Sequence, residues 1–202
     1  MAYVWRRLTP EERALLLEGR KQHSYPWHSP PHAYRGRGTY HLTAACFNHS
    51  PHVGFSPERM RKFCDALLTA IKPVCTGIHA WCVLPNHYHL LASVSDLRSA
   101  TWALGKLHGR ISRAWNKQEN IQYRQVWCAA ADRSMRSDRH FWATINYIHN
   151  NPVRHGYVHL WQEWPYSSVH EFLAAYSHEE AVRIWREYPL GDYGKGWDEP
   201  DL

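Results

Sequence analysis

The segment from residue 75 to residue 94 constrains the fold of this chain more than any other part of the sequence. Two largely apolar runs, about 75–84 and 87–94, are separated only by Pro85-Asn86, a pair that favours a turn. Two strands joined by so short a connection pair antiparallel. The chain is therefore expected to contain a sheet built around a β-hairpin, with helices packed on it.

Strand-like and helical patterns alternate on either side of the hairpin. Two more strands are predicted at Thr39 to Phe47 and about 125–136, and three helices at Ser56 to Pro73, 98–118 and from Asp138. The last helix is expected to end at Pro152, because the residue before a proline avoids helical backbone angles. The order strand, helix, strand, strand, helix, strand, helix predicts an α+β fold with a ferredoxin-like antiparallel sheet and helices packed on it.

Additional segments flank this core at both ends. The first contains a helix from Thr9 to about Arg20, then a stretch interrupted by prolines and rich in basic residues; the last contains a helix near 178–188. The predicted division is an N-terminal helical and basic arm (1–38), a core domain (39–158) and an acidic C-terminal helical extension (159–202).

Charge is distributed unevenly along the chain, whose formal net charge is +6. Residues 98–158 carry 10 basic and 3 acidic side chains, whereas residues 159–202 carry 3 basic and 9 acidic ones. A basic middle favours a polyanionic partner such as nucleic acid, and an acidic tail either shields that surface or keeps the protein soluble. The 11 Trp and 12 Tyr residues supply rings that stack on bases, or that pack the arms onto the core.

Two other features bear on the cellular compartment. No apolar run approaches the roughly 18–20 residues that a membrane-spanning helix needs, and the first residues lack the apolar core of a signal peptide. A cytoplasmic protein is therefore expected. The five cysteines form an odd set without a Cys-x-x-Cys pair, which favours buried free thiols.

The predicted helix over 98–118 has two distinct faces. Its apolar stripe consists of Leu104, Leu107, Ile111 and Trp115. A second set, here called the basic stripe, consists of Lys106, Arg110, Arg113 and Lys117. At about 100° per residue the two stripes point well apart. The apolar stripe is expected to be buried, and the basic stripe to meet solvent or phosphate.

Two histidines alternate at the start of the second hairpin strand, in His87-Tyr88-His89. Residues two apart project from the same face of a strand, so both imidazoles can bind one metal ion while Tyr88 packs on the other face. With 16 histidines in 202 residues, the pattern also arises by chance. The alternative is a pair of partly buried histidines hydrogen-bonded to backbone or water.

A tyrosine and an asparagine lie four residues apart near the end of the last predicted core helix. This spacing puts Tyr147 and Asn151 on one helical face, away from the apolar stripe of Phe141, Ile145 and Ile148. A phenol and an amide oxygen thus lie close together. Taken alone, such a pair is more often structural than catalytic.

Two longer motifs carry a family resemblance. Residues 83–91 (VLPNHYHLL) and 147–156 (YIHNNPVRHG) strongly resemble those of the REP-associated tyrosine transposases, which are single-tyrosine transposases of the HUH endonuclease superfamily. The resemblance covers roughly residues 39–170, including WPYSS at 164–168. It implies that residues 39–158 form a single-stranded-DNA transposase and nuclease domain of the HUH type, whose ferredoxin-like core agrees with the predicted order of elements.

The resemblance also implies roles for individual residues. His87, His89 and Asn151 match metal ligands, and Tyr147 matches the nucleophile; the implied metal is Mg²⁺ or Mn²⁺. A phenol with a pKa of about 10 attacks a phosphodiester poorly unless a metal polarises the phosphate. The implied substrate is single-stranded DNA, in hairpin-forming or palindromic repeats, cleaved through a 5′-phosphotyrosine. The protein is expected to be a monomer or homodimer, cytoplasmic and nucleoid-associated when bound to DNA.

Several basic residues are expected to contact DNA, and two rival functions are considered beside the transposase. The basic stripe, extended by Arg136, Arg139 and Arg154, is expected to bind the DNA backbone, the alternative being a solvated charged face. One rival is a domesticated hairpin-DNA-binding protein with little or no cleavage activity. The other is a metallohydrolase with a water nucleophile, for which Asp132 and Asp138 would have to supply carboxylates.

Overall fold

The computed structural model describes residues 9–22, 36–191 and 193–194. The helices and strands, in chain order, are α1 (Pro10–Gln22), β1 (Gly38–Ala45), α2 (Pro57–Ile71), β2 (Cys75–Val83), β3 (His87–Val94), α3 (Leu97–Gln118), β4 (Ala131–Ser134), α4 (Asp138–Arg154), α5 (Val169–Ala175) and α6 (His178–Glu187). No described helix is both long and apolar enough to cross a bilayer. Much of the predicted N-terminal arm and the end of the C-terminal extension lie outside the described residues, so the three-part division stays a prediction.

The four strands form one sheet in the order β2-β3-β1-β4, with every neighbouring pair antiparallel. The connection from β1 to β2 runs through α2, and the connection from β3 to β4 runs through α3. Each helix therefore links two parallel strands that have another strand between them. This split arrangement confirms the predicted ferredoxin-like sheet.

The two faces of the sheet are covered by different helices. On one face, the ring of Tyr88 lies 5.8 Å from that of Phe63 in α2, and its hydroxyl lies 3.2 Å from His108 Nε2 in α3. On the other face, the ring of His89 lies 5.2 Å from that of Tyr147 in α4. Because successive side chains of a strand point to opposite faces, β3 contributes to the apolar core with Tyr88 and to the α4 face with its histidines.

Helix α4 does not end at Pro152 as the sequence predicts, but continues to Arg154. A proline in the last turn removes only one intrahelical hydrogen bond, so the turn tolerates it. The helix closes instead where the His155 N–H donates to Asn151 O (3.0 Å) and Gly156 takes a φ of 71°. Glycine adopts this left-handed conformation without strain, which makes it the residue that ends the helix.

The predicted fourth strand over 125–136 is much shorter in the structure. Only Ala131–Ser134 forms a ladder with β1, while further upstream a single bridge joins Trp127 to Cys46, just after β1. Trp127 is buried, with its ring stacked 4.5 Å from His108 and 5.2 Å from Phe63. The strand-like composition of this segment thus reflects packing on α2 and α3 rather than a continuous ladder.

The cysteines behave largely as expected. All five are free thiols, and Cys46, Cys64 and Cys82 are buried. Burial raises the pKa of the Cys46 and Cys64 thiols to about 12. These thiols therefore stay protonated at neutral pH and act as small apolar side chains of the core.

Candidate active site

Strand β3 and helix α4 bring together the four residues that the motifs single out. The ring centroids of His87 and His89 lie 4.9 Å apart. His87 Nε2 lies 3.2 Å from Asn151 Oδ1, and the His89 ring lies 5.2 Å from that of Tyr147. All four side chains are almost completely buried. A phenol, two imidazoles and an amide thus share one compact site between the sheet and α4.

Hydrogen bonds on both sides of α4 fix the position of Tyr147 and Asn151. The Asn146 amide donates to the Tyr188 carbonyl beyond α6 at 2.9 Å. On the sheet side, His149 Nε2 lies 2.9 Å from Ser168 Oγ, which also lies 3.3 Å from Trp81 O in β2. Burial lowers the pKa of His149 to about 3, so this imidazole is neutral and structural. The helix that carries the candidate nucleophile is therefore held rigidly on the sheet.

A neighbouring asparagine determines the proton position on His87. Asn86 Nδ2 donates to His49 O at 3.2 Å, which leaves Asn86 Oδ1 as the acceptor that lies 2.7 Å from His87 Nδ1. His87 Nδ1 therefore carries the ring proton and donates it. In the neutral imidazole, Nε2 then presents a lone pair towards Asn151 Oδ1.

The contact between His87 Nε2 and Asn151 Oδ1 shows how these residues could fit a divalent cation. With a neutral His87 ring, the Nε2 lone pair faces Asn151 Oδ1 at 3.2 Å, an arrangement that a cation bound between the two atoms would stabilise. Donors bound to one cation at about 2.0–2.2 Å lie roughly 3 Å from each other. No cluster of three His, Cys, Asp or Glu side chains suited to a metal exists among the described residues, so the Asn151 amide is needed as the third donor. The donor set fits a divalent cation with open positions for substrate oxygens.

A third histidine belongs to the site and was not predicted. His41 in β1 is 2% exposed, its Nε2 lies 3.0 Å from His89 Nδ1, and its ring lies 6.0 Å from that of Tyr147. The sequence offers only a weak signal for it, a histidine in an alternating strand. Its contact with His89 depends on the pairing register of β1 and β3, which local patterns do not reveal.

Two further side chains on this face were also missed. Arg133 of β4 is directly opposite His41 in the ladder, and directly opposite residues share a sheet face. The ring of His155, just after α4, lies 5.0 Å from that of His87. Arg133 therefore adds a positive charge to the α4 face of the sheet, and His155 adds a fourth imidazole to the site.

The carboxylates required by the water-nucleophile rival do not reach the site. Asp132 is directly opposite Leu42, which is itself opposite Leu90, and this places it on the sheet face of Tyr88. Asp138 begins α4, nine residues before Tyr147, or about 13 Å along the helix axis. The structure thus gives no support to a carboxylate-rich hydrolase centre.

The C-terminal extension covers Tyr147. The ring of Tyr193 lies 5.5 Å from that of Tyr147, and Gly194 is so close that a Cβ there would overlap the phenol ring. Tyr193 is anchored by its hydroxyl, 2.5 Å from Thr144 Oγ1, and Arg154 donates to Gly194 O at 2.9 Å. Tyr147 is therefore only 1% exposed, and Arg154, one of the predicted DNA contacts, holds the covering segment.

The remaining predicted DNA contacts are all at the surface. Lys106, Arg110, Arg113 and Lys117 are exposed along α3, and Arg136 and Arg139 are exposed around the start of α4. Lys106 Nζ lies 3.6 Å above the ring of Trp102, which is 64% exposed. Since α3 packs on the Tyr88 face of the sheet, the basic stripe and Tyr147 lie on opposite sides of it.

Comparison with known proteins gives two curated relatives. A protein of Haemophilus influenzae assigned to the REP-associated tyrosine transposases is 32% identical over 110 residues, which cover 48% of this chain and 60% of that protein. The REP-associated tyrosine transposase of Escherichia coli is 29% identical over 100 residues, covering 48% of this chain and 56% of that protein. The chain is similar to REP-associated tyrosine transposases. It spans little more than half the length of these relatives.

A solved structure shares the fold. The structure of a REP-associated tyrosine transposase bound to a REP hairpin matches with a TM-score of 0.57 and 22% identity, covering 72% of this chain and 86% of that chain. No protein-family model matches the chain. The family resemblance expected from the two motifs is thus confirmed by the curated relatives, and the α+β fold by the solved structure.

Proposed function

We propose that this protein is a metal-dependent endonuclease and strand-transferase of single-stranded DNA that acts through a 5′-phosphotyrosine. The observation that carries the proposal is the convergence of Tyr147, His87, His89 and Asn151 in one site between β3 and α4. The similarity to REP-associated tyrosine transposases, and the REP hairpin bound in the related solved structure, support hairpin-forming repeats as the substrate class.

His87, His89 and Asn151 would hold a divalent cation, Mg²⁺ or Mn²⁺. Bound there, the cation would polarise a phosphate oxygen and neutralise charge in the transition state. Imidazoles and an amide carry no negative charge, so these ligands would not repel a phosphodiester. Arg133, on the same sheet face, contributes a further positive charge.

Tyr147 would perform the covalent step. Its Oη attacks the scissile phosphorus, the bond from phosphorus to the 3′ oxygen breaks, and an Oη–phosphorus bond forms. The phenol loses its proton and the departing 3′ oxygen gains one, so the products are a 5′-phosphotyrosine and a free 3′-hydroxyl. Because the phosphodiester is conserved, a second 3′-hydroxyl can reverse the step and join another strand end.

The basic residues would hold the DNA backbone. We assign phosphate contacts to the basic stripe and to Arg136 and Arg139, because these side chains are exposed and residues 98–158 carry 10 basic but only 3 acidic side chains. An excess of exposed Lys and Arg favours polyanions. The basic stripe and Tyr147 are on opposite sides of the sheet. A DNA that contacts both must therefore extend round the sheet, as a hairpin stem with a single-stranded flank would.

The second candidate function is binding of hairpin DNA with little or no cleavage. The observation that favours it is the burial of Tyr147 under Tyr193 and Gly194, which keeps a phosphodiester away from the phenol. The two candidates differ in whether this segment leaves the site when DNA binds.

Tyr147→Phe separates these functions, since it removes the nucleophilic oxygen and keeps the ring. With single-stranded hairpin substrate labelled on the 3′ side of the cut and Mn²⁺ present, label should migrate with the parent protein on a denaturing gel. The variant should bind the DNA within about twofold of the parent and yield no linked label. Tyr166→Phe, a matched loss of a hydroxyl outside the site, should leave linkage unchanged.

Three other results would contradict the proposal. Cleavage without protein-linked label would indicate a water nucleophile. Linkage that persists in Tyr147→Phe would assign the nucleophile to another residue. Tight hairpin binding by the parent without any cleavage would favour the binding function.

A further inference from the structure

Each of the two proposed metal-binding histidines, His87 and His89, has its Nδ1 atom in contact with a different polar side chain. His87 Nδ1 lies 2.7 Å from Asn86 Oδ1, and His89 Nδ1 lies 3.0 Å from His41 Nε2. The two rings belong to one strand, but their partners come from the hairpin turn and from β1. The Nδ1 atoms of the two imidazoles are thus held by two different side chains from two different parts of the fold.

The contact with Asn86 permits one proton arrangement. Because the Asn86 amide nitrogen donates to His49 O, its oxygen must accept from His87 Nδ1. The turn is held in place by the Cys46 N–H, which donates to Asn86 O at 2.6 Å. His87 therefore keeps a proton on Nδ1, and in the neutral ring the lone pair is on Nε2.

The contact between His41 and His89 permits two arrangements, of which one suits a metal. If His41 Nε2 donates, His89 keeps its proton on Nε2, and that nitrogen is unable to coordinate. If His89 Nδ1 donates, His89 Nε2 has a lone pair and His41 is the acceptor. The register of β1 and β3, in which His41 pairs with Leu91, holds the two buried rings at this distance.

We propose that His41 and Asn86 are positioning residues: His41 accepts a hydrogen bond from His89 Nδ1 and Asn86 accepts one from His87 Nδ1, which presents both Nε2 atoms to a divalent cation. This inference rests on the proposed function. A hydrogen bond from the distal nitrogen of a ligating histidine orients the ring and raises its basicity. The two residues therefore act on metal affinity without contacting the metal or the DNA.

Calorimetric titration of the full chain with Mn²⁺ tests the proposal. His41→Ala and Asn86→Ala should each weaken Mn²⁺ binding by roughly 10- to 100-fold. His41→Gln and Asn86→Asp, which keep an acceptor oxygen near each Nδ1, should recover affinity to within a few-fold. His79→Ala is the matched control, because His79 bonds Ser93 across the sheet at 2.7 Å and should leave Mn²⁺ affinity unchanged.

Nitrogen NMR of the histidine side chains in the metal-free protein reports the tautomer of each imidazole. A loss of packing alone would not change that tautomer. In the parent, His87 and His89 should both show the Nδ1–H tautomer, and His41→Ala should convert His89 to a mixture while leaving the spectrum of His87 intact. Unchanged Mn²⁺ affinity in both alanine variants, or Nε2–H tautomers in the parent, would overturn the positioning role. A parent that binds no Mn²⁺ at all would overturn the metal site itself, and with it the proposed function.

Discussion

At the scale of single residues, Asn151 is the least conventional member of the site. Amide oxygens bind hard cations more weakly than carboxylates do, and they bring no charge. Asn151 nevertheless lies one helical turn from Tyr147, 3.2 Å from His87 Nε2, and is fully buried. Its position makes it a test of whether the site is a metal centre or a polar cluster satisfied by protein groups alone.

Asn151→Leu should weaken Mn²⁺ binding at least tenfold, because it removes one of three donors and keeps the approximate volume. Asn151→Asp should bind Mn²⁺ as tightly as the parent or more tightly, since it retains an oxygen and adds a negative charge. Titration calorimetry measures both affinities. Asn150→Leu, on the neighbouring half-buried residue, serves as control, and equal affinities in all four proteins would show that Asn151 is not a ligand.

The site residues that are predictable from the sequence share a face through local spacing, whereas the others reach the site through strand pairing. His87 and His89, like Tyr147 and Asn151, share a face through the spacing of one strand or one helix, and such spacing is visible locally. His41 and Arg133 reach the same face only through strand register. Register depends on tertiary packing and turn geometry, so a motif search along the chain does not find them.

At the scale of elements, α2 and α3 are tied together by a charged cluster. Arg59 of α2 lies 2.7 Å from Glu119 at the end of α3, and Arg124 lies 2.7 Å from the other carboxylate oxygen. The side chain of Arg59 is 5% exposed and that of Glu119 is 14% exposed. Removing the carboxylate would leave a guanidinium buried without its charge partner, which is far more costly than losing a solvent-exposed ion pair.

Glu119→Gln should lower the free energy of unfolding at pH 7 by about 3 kcal/mol. The matched control is Glu58→Gln, which breaks an exposed pair with Lys62 and should cost less than about 0.5 kcal/mol. Urea denaturation followed by circular dichroism gives both values. Similar costs for the two variants would mean that the buried cluster is no more important than a surface pair.

The same charged cluster makes the free energy of unfolding depend on pH. Hydrogen bonds from Arg124 and Arg59 hold the pKa of Glu119 at about 2, below its ordinary value of 4.5. A carboxylate with a depressed pKa stabilises the fold fully above the ordinary value, and this contribution is lost as the pH falls through the folded-state value. The difference in unfolding free energy between parent and Glu119→Gln should therefore shrink as the pH is lowered from 4.5 towards 2.

The order of the elements was largely predictable because periodicity and caps are local signals. Ser56 and Ser137 cap α2 and α4 in the structure, close to the predicted starts. The short helix α5 was not predicted, and the fourth strand was predicted too long, because in both segments packing against neighbours decides the backbone rather than a repeated local pattern.

At the scale of the whole molecule, the extension after residue 159 is part of the site rather than a separate appendage. Its described part packs on α4, where the ring of Trp161 stacks 6.3 Å from that of His149 and Asn146 donates to the Tyr188 carbonyl. It then returns across Tyr147 at Tyr193 and Gly194. Acidic composition alone suggests shielding of the basic surface, whereas in the described fold this extension covers Tyr147, the proposed nucleophile.

The covering segment gives a test of the proposed function, because a covered Tyr147 would have to be uncovered before it could attack DNA. If the closed form predominates, each 1.4 kcal/mol removed from its stability raises the open population about tenfold. Tyr193→Ala removes both the ring over Tyr147 and the hydroxyl bound to Thr144. It should increase the single-turnover rate of strand cleavage about tenfold or more. Tyr193→Phe, which loses only the hydroxyl, should give a smaller increase.

The control for this comparison is Tyr176→Ala, which removes an aromatic ring of the same extension that packs on Trp142, 6.0 Å away, and not on Tyr147. It should leave the cleavage rate near that of the parent, so that a general loosening of the extension is distinguished from uncovering of the site. A Tyr193→Ala protein that folds normally but cleaves no faster would mean that opening is not limiting. A slower one would mean that Tyr193 supports Tyr147 during the reaction, because removing a cover alone never slows attack by the group beneath it.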